Sequence, residues 1–160
     1  MAKTIVSPTG AGLVLDSITD SDARGFALGD VGMTKDGGGA VFVQASGAIA
    51  DKDCISISEA FVAKAMATAE YVLGYTVGFA DDAVSSGQYF WALVDPKGSQ
   101  TVNVLQACAA NVPLFVSGTA GKLDDATVAQ QIFGLQSASA AAASATTAIT
   151  AIASYPRVRT

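Results

Sequence analysis

Apolar and polar positions alternate with a period of two in several short stretches of this 160-residue chain. Residues 40–45 (AVFVQA) join two valines to Phe42 and predict a strand, which Ser46-Gly47 turns. In residues 53–58 (DCISIS), Ile55 and Ile57 fall on one face and Cys54, Ser56 and Ser58 on the other. The strongest alternation lies in residues 71–79. Tyr71, Leu73, Tyr75, Val77 and Phe79 share a bulky face, whereas Val72, Gly74, Thr76 and Gly78 leave room for close approach of another backbone. Residues 88–94 (QYFWALV) are apolar on both faces, as in a strand covered on two sides. Residues 101–105, 113–117 and 128–135 predict three further strands.

Turn-forming residues separate these stretches. Asp95-Pro96-Lys97-Gly98 is a turn whose proline presets φ and whose glycine accepts φ > 0. Residues 118–125 read as another turn region, and 29–40 (GDVGMTKDGGGA) as a turn-rich stretch in which three consecutive glycines argue against a rigid element. Residues 59–70 (EAFVAKAMATAE) stay open between a short helix, favoured by Ala, Lys, Met and Glu, and a loop. The Ala/Ser/Thr tract at 137–150 is a low-complexity loop or a helix of small residues. Residues 1–28 form a polar arm with a short apolar run at 13–15, of a kind that orders on a neighbour. Strands spaced by roughly ten residues predict an all-β domain over 29–160, a small antiparallel β-barrel or β-sandwich with an extended N-terminal arm and room for one short helix.

Composition narrows the function. A single domain of this size buries about 70% of its unfolded surface, so no metal or disulfide is needed for a core. Charged residues make up only 14% of the chain, against the usual roughly 25%. Low charge and 51% hydrophobic residues suit a surface covered in an assembly. The net charge of −5, with nine scattered basic residues, argues against a nucleic-acid surface. No apolar run is long enough for a membrane span, and the N-terminus lacks a signal-peptide core, so a cytosol-like compartment is expected. Cys54 and Cys108 read as buried free thiols, with a single bridge between them left open.

The chain carries no histidine, which removes Ser–His–Asp and Cys–His catalysis and the usual zinc sites. Three carboxylate pairs, Asp51/Asp53, Asp81/Asp82 and Asp124/Asp125, have the chemistry for acid–base work, but each sits where Asp serves its own turn. DKDCISISE (51–59) starts like a calcium loop, yet Ile55 and Ser56 break the pattern. GTAGK (118–122) lacks the Ser or Thr and the spacing of a phosphate loop. Tyr89, Phe90 and Trp91 could line a sugar site, although aromatics in a doubly covered strand more often belong to the core. No catalytic residue, cofactor or metal is expected.

Taken in order, AVFVQASGAIADKD (40–53), GQYFWALV (87–94), VNVLQACAANVPLFVSGTAGKLDD (102–125) and YPRV (155–158) resemble the small capsid decoration, or cement, proteins of tailed bacteriophages. The likeness covers residue 29 to the C-terminus. It implies a β-rich virion protein on the outer surface of a phage capsid, made in the host cytoplasm, that clamps adjacent subunits of the major capsid protein. It also implies self-association, as a homotrimer or alternatively a homodimer, with no nucleic acid and no membrane partner. Gly87, Gln88 and Trp91, the run Asn111–Leu114, and Gly118, Gly121, Leu123 and Asp124 are then fold positions. The capsid or self-interface candidates lie at the two ends: Ile5, Val6, Leu13 and Leu15 in the arm, and Tyr155, Arg157 and Arg159 in the tail. The competing expectation is a carbohydrate-binding head-fibre or adhesin-like domain using Tyr89 to Trp91.

Overall fold

The computed structural model describes residues 5–6, 26–68, 75–105, 107–126, 130–142 and 147–158, with backbone alone at 5–6, 147–149 and 152–155. Seven strands form one sheet: β1 (Ile5–Val6), β2 (Val31–Thr34), β3 (Gly39–Ala45), β4 (Cys54–Ile57), β5 (Val62–Ala65), β6 (Thr76–Phe79) and β7 (Tyr89–Asp95). Their order is β1-β2-β3-β5-β4-β6-β7, and an additional β3–β7 pairing closes β3, β5, β4, β6 and β7 into a ring. A closed five-stranded barrel follows, ordered β10-β8-β12-β11-β9. It uses β8 (Gly98–Val104), β9 (Pro113–Val116), β10 (Leu123–Asp124), β11 (Gln131–Ser137) and β12 (Thr147–Val158). The all-β expectation holds, and no helix occurs among the described residues. The pairing is not purely antiparallel, because β3–β5 and β8–β10 run parallel.

The faces of the strands explain the two cores. On β4, Ile55 and Ile57 point into the first ring with Val41, Val43, Phe90 and Ala92. Cys54 lies on the opposite face, with Val77, Phe79 and Leu93, and packs against Val102, Leu114, Leu123 and Ile132 of the second barrel. The polar-looking face of β4 is therefore buried as deeply as the apolar one. The same division runs through β7, where Phe90 and Ala92 face the ring and Trp91 and Leu93 face the barrel, so this strand is covered on both sides. Because the outer wall of the ring is also a wall of the second core, the two halves share one interface.

Four expectations are corrected. Within 59–70, residues 62–65 form a strand, β5, and no helix occurs among the described residues 59–68: Ala63 and Ala65 are buried while β5 pairs with β3 and β4, so tertiary pairing overrides a weak helix preference. Within 29–40, Val31–Thr34 is a strand that forms a hairpin with β3. The three consecutive glycines, 37–39, fall in its turn and at the start of β3, with Gly37 at φ +78 and the Thr34 hydroxyl accepting from Gly38 N at 2.8 Å. Within 118–125, Leu123–Asp124 is the strand that closes the barrel between β8 and β9. The Ala/Ser/Thr tract is no helix where described: Ala141 bridges Cys108, and Thr147–Thr150 begin β12, which pairs with β8 from Thr147 to Ala153. The predicted strand at 71–79 is present as Thr76–Phe79, and Tyr71 to Gly74 lie outside the described residues.

Gly78 shows why that strand carries small residues on one face. It pairs with Ile55 inside the ring. A Cβ there would stand 3.0 Å from Ile57 Cδ1 and 3.2 Å from the Leu93 carbonyl oxygen. The isoleucine tip can move, whereas the carbonyl cannot. Gly78→Val is expected to cost about 1–3 kcal/mol. Ile57→Val in the same chain should return part of that loss, read from urea midpoints.

Candidate interaction surface

Of the carboxylates expected to serve their own turns, Asp82 and Asp124 accept from nearby backbone N–H groups, whereas Asp125 bonds a distant backbone N–H and Asp51 a neighbouring side chain. Asp82 Oδ1 accepts from Ala83 N at 2.8 Å, Asp125 Oδ2 from Ala109 N at 2.8 Å, and Asp51 pairs with Lys52. Asp53 is different: it is buried and bound across the two halves. Its Oδ1 accepts from Asn103 Nδ2 at 2.9 Å and from Lys122 Nζ at 3.1 Å, and its Oδ2 from Ala50 N at 3.0 Å. Backbone bonds reinforce this junction, with Cys54 N donating to Gly121 O at 3.0 Å and Asn103 N to Lys52 O at 3.0 Å. Both oxygens of Asp53 accept hydrogen bonds, three in all, and these tie the two halves of the fold together. No cluster of three metal-ligating side chains occurs among the described residues.

Both cysteines are free and buried. Burial pushes the Cys108 thiol up to about 11, helped by the charges of Asp125 and Asp124. Burial, and then the neighbouring Asp53 charge, raises Cys54 further. Such thiols are protonated at neutral pH and poor nucleophiles. Their folded pKa values lie above the unfolded value of about 8.5, so the stability they lend is complete below that pH. It is lost as pH rises through about 11 for Cys108. We expect native protein to resist thiol reagents, and Cys54→Ala/Cys108→Ala to flatten the fall in stability above about pH 8.5. Equal alkaline slopes in wild type and variant would contradict this.

The aromatic stretch does not make an open sugar platform. Phe90 enters the ring core. Tyr89 stacks on Phe42 at 5.9 Å, and Trp91 meets Phe42 at 5.3 Å and the edge of Phe26 at 5.2 Å. The Trp91 indole N–H is buried without a hydrogen-bond partner, so it is not presented to a sugar hydroxyl.

What the surface does present is apolar. Val31 is 70% exposed, Met33 60%, Leu28 39% and Phe61 36%. Val31 and Met33 share the outward face of β2, whose other face, Gly32 and Thr34, is buried. Phe61 sits at φ +57, a left-handed conformation unfavourable for a bulky residue. Gly29 lies so close under its ring that any Cβ there would overlap it, which joins Phe61 to the Leu28 end of the row. Beyond Met33 the row opens into a groove of about 520 Å³ lined by Gly37, Val94, Asp95, Lys97 and Arg157.

Of the residues expected at the interface, Arg157 is exposed and lines this groove. Ile5 and Val6 are the strand beside β2, opposite Thr34 and Met33. Tyr155 belongs to β12 with its side chain undescribed, and Leu13, Leu15 and Arg159 lie outside the described residues. The sequence reading missed Leu28, Val31, Met33 and Phe61. The alternation Val-Gly-Met-Thr was visible, but nothing local says that its bulky face points outward. The chain matches no protein-family model, and no curated protein matches it.

Proposed function

We propose that the protein is a structural virion component that binds the outer surface of a phage capsid and bridges adjacent major capsid subunits, acting as a homotrimer or homodimer. The observation that carries this reading is the exposed row of Leu28, Val31, Met33 and Phe61 on a rigid double-core β scaffold. Large side chains held out of a core favour a protein partner, because covering them returns the transfer free energy that exposure forfeits. The committed carboxylates and buried thiols support a mechanical role over a chemical one. The order of sequence motifs supplies the partner. On a shell, each copy adds contact area that must be broken before subunits separate, and many copies add these contributions together.

The test is saturable occupancy on expanded capsid shells. Val31→Asp or Met33→Asp removes about 2 kcal/mol of buried apolar contact, roughly thirty-fold in Kd. Occupancy should fall accordingly while the fold, read by circular dichroism, is kept. Unchanged occupancy in both variants, or glycan binding that Trp91→Ala abolishes in a folded protein, would overturn the reading.

A further inference from the structure

Three polar side chains meet where the ring joins the second barrel, and two of them share one oxygen of the third. Asp53 Oδ1 accepts from Lys122 Nζ at 3.1 Å and from Asn103 Nδ2 at 2.9 Å. Asn103 Nδ2 also donates to the Asp51 carbonyl at 2.7 Å, so its carboxamide is held in place by two bonds. Strand register sets the lysine beside it. Leu123 of β10 lies opposite Val104 of β8 in a parallel pair, and Lys122 and Asn103 are the residues that precede that pair on the two strands. The Asp53 side chain is buried and the Lys122 side chain largely so. A primary amine, a carboxamide and a carboxylate are thus gathered away from water. Those are the nucleophile, the electrophile and the proton carrier needed to join a lysine to an asparagine.

We propose that Lys122 Nζ and Asn103 Cγ form an intramolecular amide bond, with Asp53 as the catalytic carboxylate and ammonia as the leaving group. Asp53 Oδ1 takes one proton from the Lys122 ammonium along their hydrogen bond. The lone pair this frees adds to Asn103 Cγ, and the carbonyl π pair moves onto the Asn103 oxygen. As that pair returns, the Cγ–Nδ2 bond breaks. Asp53 hands its proton to Nδ2, which departs as ammonia, and takes a second proton from Nζ, whose third stays in the new amide. Nothing is oxidised or reduced. The ion pair is replaced by a neutral acid and a neutral amide, which removes the penalty for keeping two charges out of water. Asp53 itself is the poorer electrophile: it is paired as an anion, and its bonded partners are Ala50 N, Asn103 and Lys122, none of them a second acid to protonate a departing oxygen. The bond fastens the barrel where its pairing is shortest, because β10 has two residues and meets β8 at a single residue pair. It also closes the loop 103–122 around β9, restricting the unfolded chain as a disulfide does. Being intramolecular, it does not rest on the proposed function.

The experiment is the intact mass of the purified full chain, followed by trypsin digestion under denaturing conditions. Wild type should be lighter than its sequence by one ammonia. Trypsin should fail to cut after Lys122, leaving residues 98–157 as one piece that carries the whole deficit. Lys122→Arg keeps a cation for Asp53 without a primary amine, and it should have the full mass of its sequence. A folded Asp53→Asn should also have full mass, since a carboxamide cannot take the proton. A wild type of full mass overturns the proposal. So does a deficit of one water, which makes Asp53 the electrophile, and so does a deficit that survives in Lys122→Arg or in folded Asp53→Asn. If the variants fail to fold, the wild-type mass and the cut at Lys122 decide by themselves.

Discussion

Asp53→Ala is expected to remove about 3–5 kcal/mol of unfolding free energy, a large share of the roughly 5–15 kcal/mol that a domain possesses. The carboxylate side chain is 6% exposed and the Lys122 side chain 17%. Truncation therefore leaves an ammonium group largely out of water with no counter-charge, and it strips Ala50 N of its acceptor. The loss is more than one ion pair, because Asp53 links the first sheet to Asn103 on β8 and to Lys122 just before β10. Urea unfolding should show a lower midpoint with an unchanged slope, the mark of lost stability in an intact fold. Lys122→Met in the Asp53→Ala background should restore part of the loss, since it removes the uncompensated charge. A loss below about 1 kcal/mol would mean that the pair behaves like a surface bridge and that backbone pairing alone holds the junction.

Gly121→Ala should be at least as damaging, through the same carboxylate. Gly121 adopts φ +77, where a residue with a Cβ pays about 1–2 kcal/mol. The added methyl would also overlap the Asp53 carboxyl group, forcing it away from Lys122 and Asn103. The backbone cannot retreat easily, because Gly121 N donates to Met66 O at 2.8 Å and Gly121 O accepts from Cys54 N at 3.0 Å. The two effects separate in a double-mutant cycle. In an Asp53→Ala background the overlap is gone, and Gly121→Ala should cost only the backbone part, about 1–2 kcal/mol. Additive losses would show that the substitution acts somewhere other than on Asp53.

Neither result could be anticipated from local sequence. Asp51-Lys52-Asp53 reads as a turn, and Asp51 does sit in one. Asp53 differs only because Asn103 and Lys122, 50 and 69 residues further along, converge on it. Gly121 and Lys122 belong to a stretch with a chance likeness to a phosphate loop, and their part in the junction depends on that same long-range contact. Nothing in the sequence signalled the exposed apolar row: Val31 and Met33 resembled ordinary core positions of a strand, while the tail residue Arg157 lines an exposed groove.

Alternation and turn residues were enough to establish the β class, strands at 40–45, 53–58, 88–94, 101–105 and 113–117, and the covering of both faces of the one at 88–94, although β8 in fact begins at Gly98, inside the expected turn. These properties are local, since the period of a strand and the φ demands of a turn are written in neighbouring residues. Which face of β2 meets water, why Cys54 and Ser56 are buried, and why an Ala/Lys segment at 62–65 is a strand were all left open at that level. Those depend on what lies across the sheet and behind it. A strand's faces are distinguished by the partners that cover them, and here the ring covers one side of β4 and the second barrel the other. Closure of the ring and barrel, and the meeting of Asp53 with Lys122, arise from contacts distant in sequence, which no local pattern encodes.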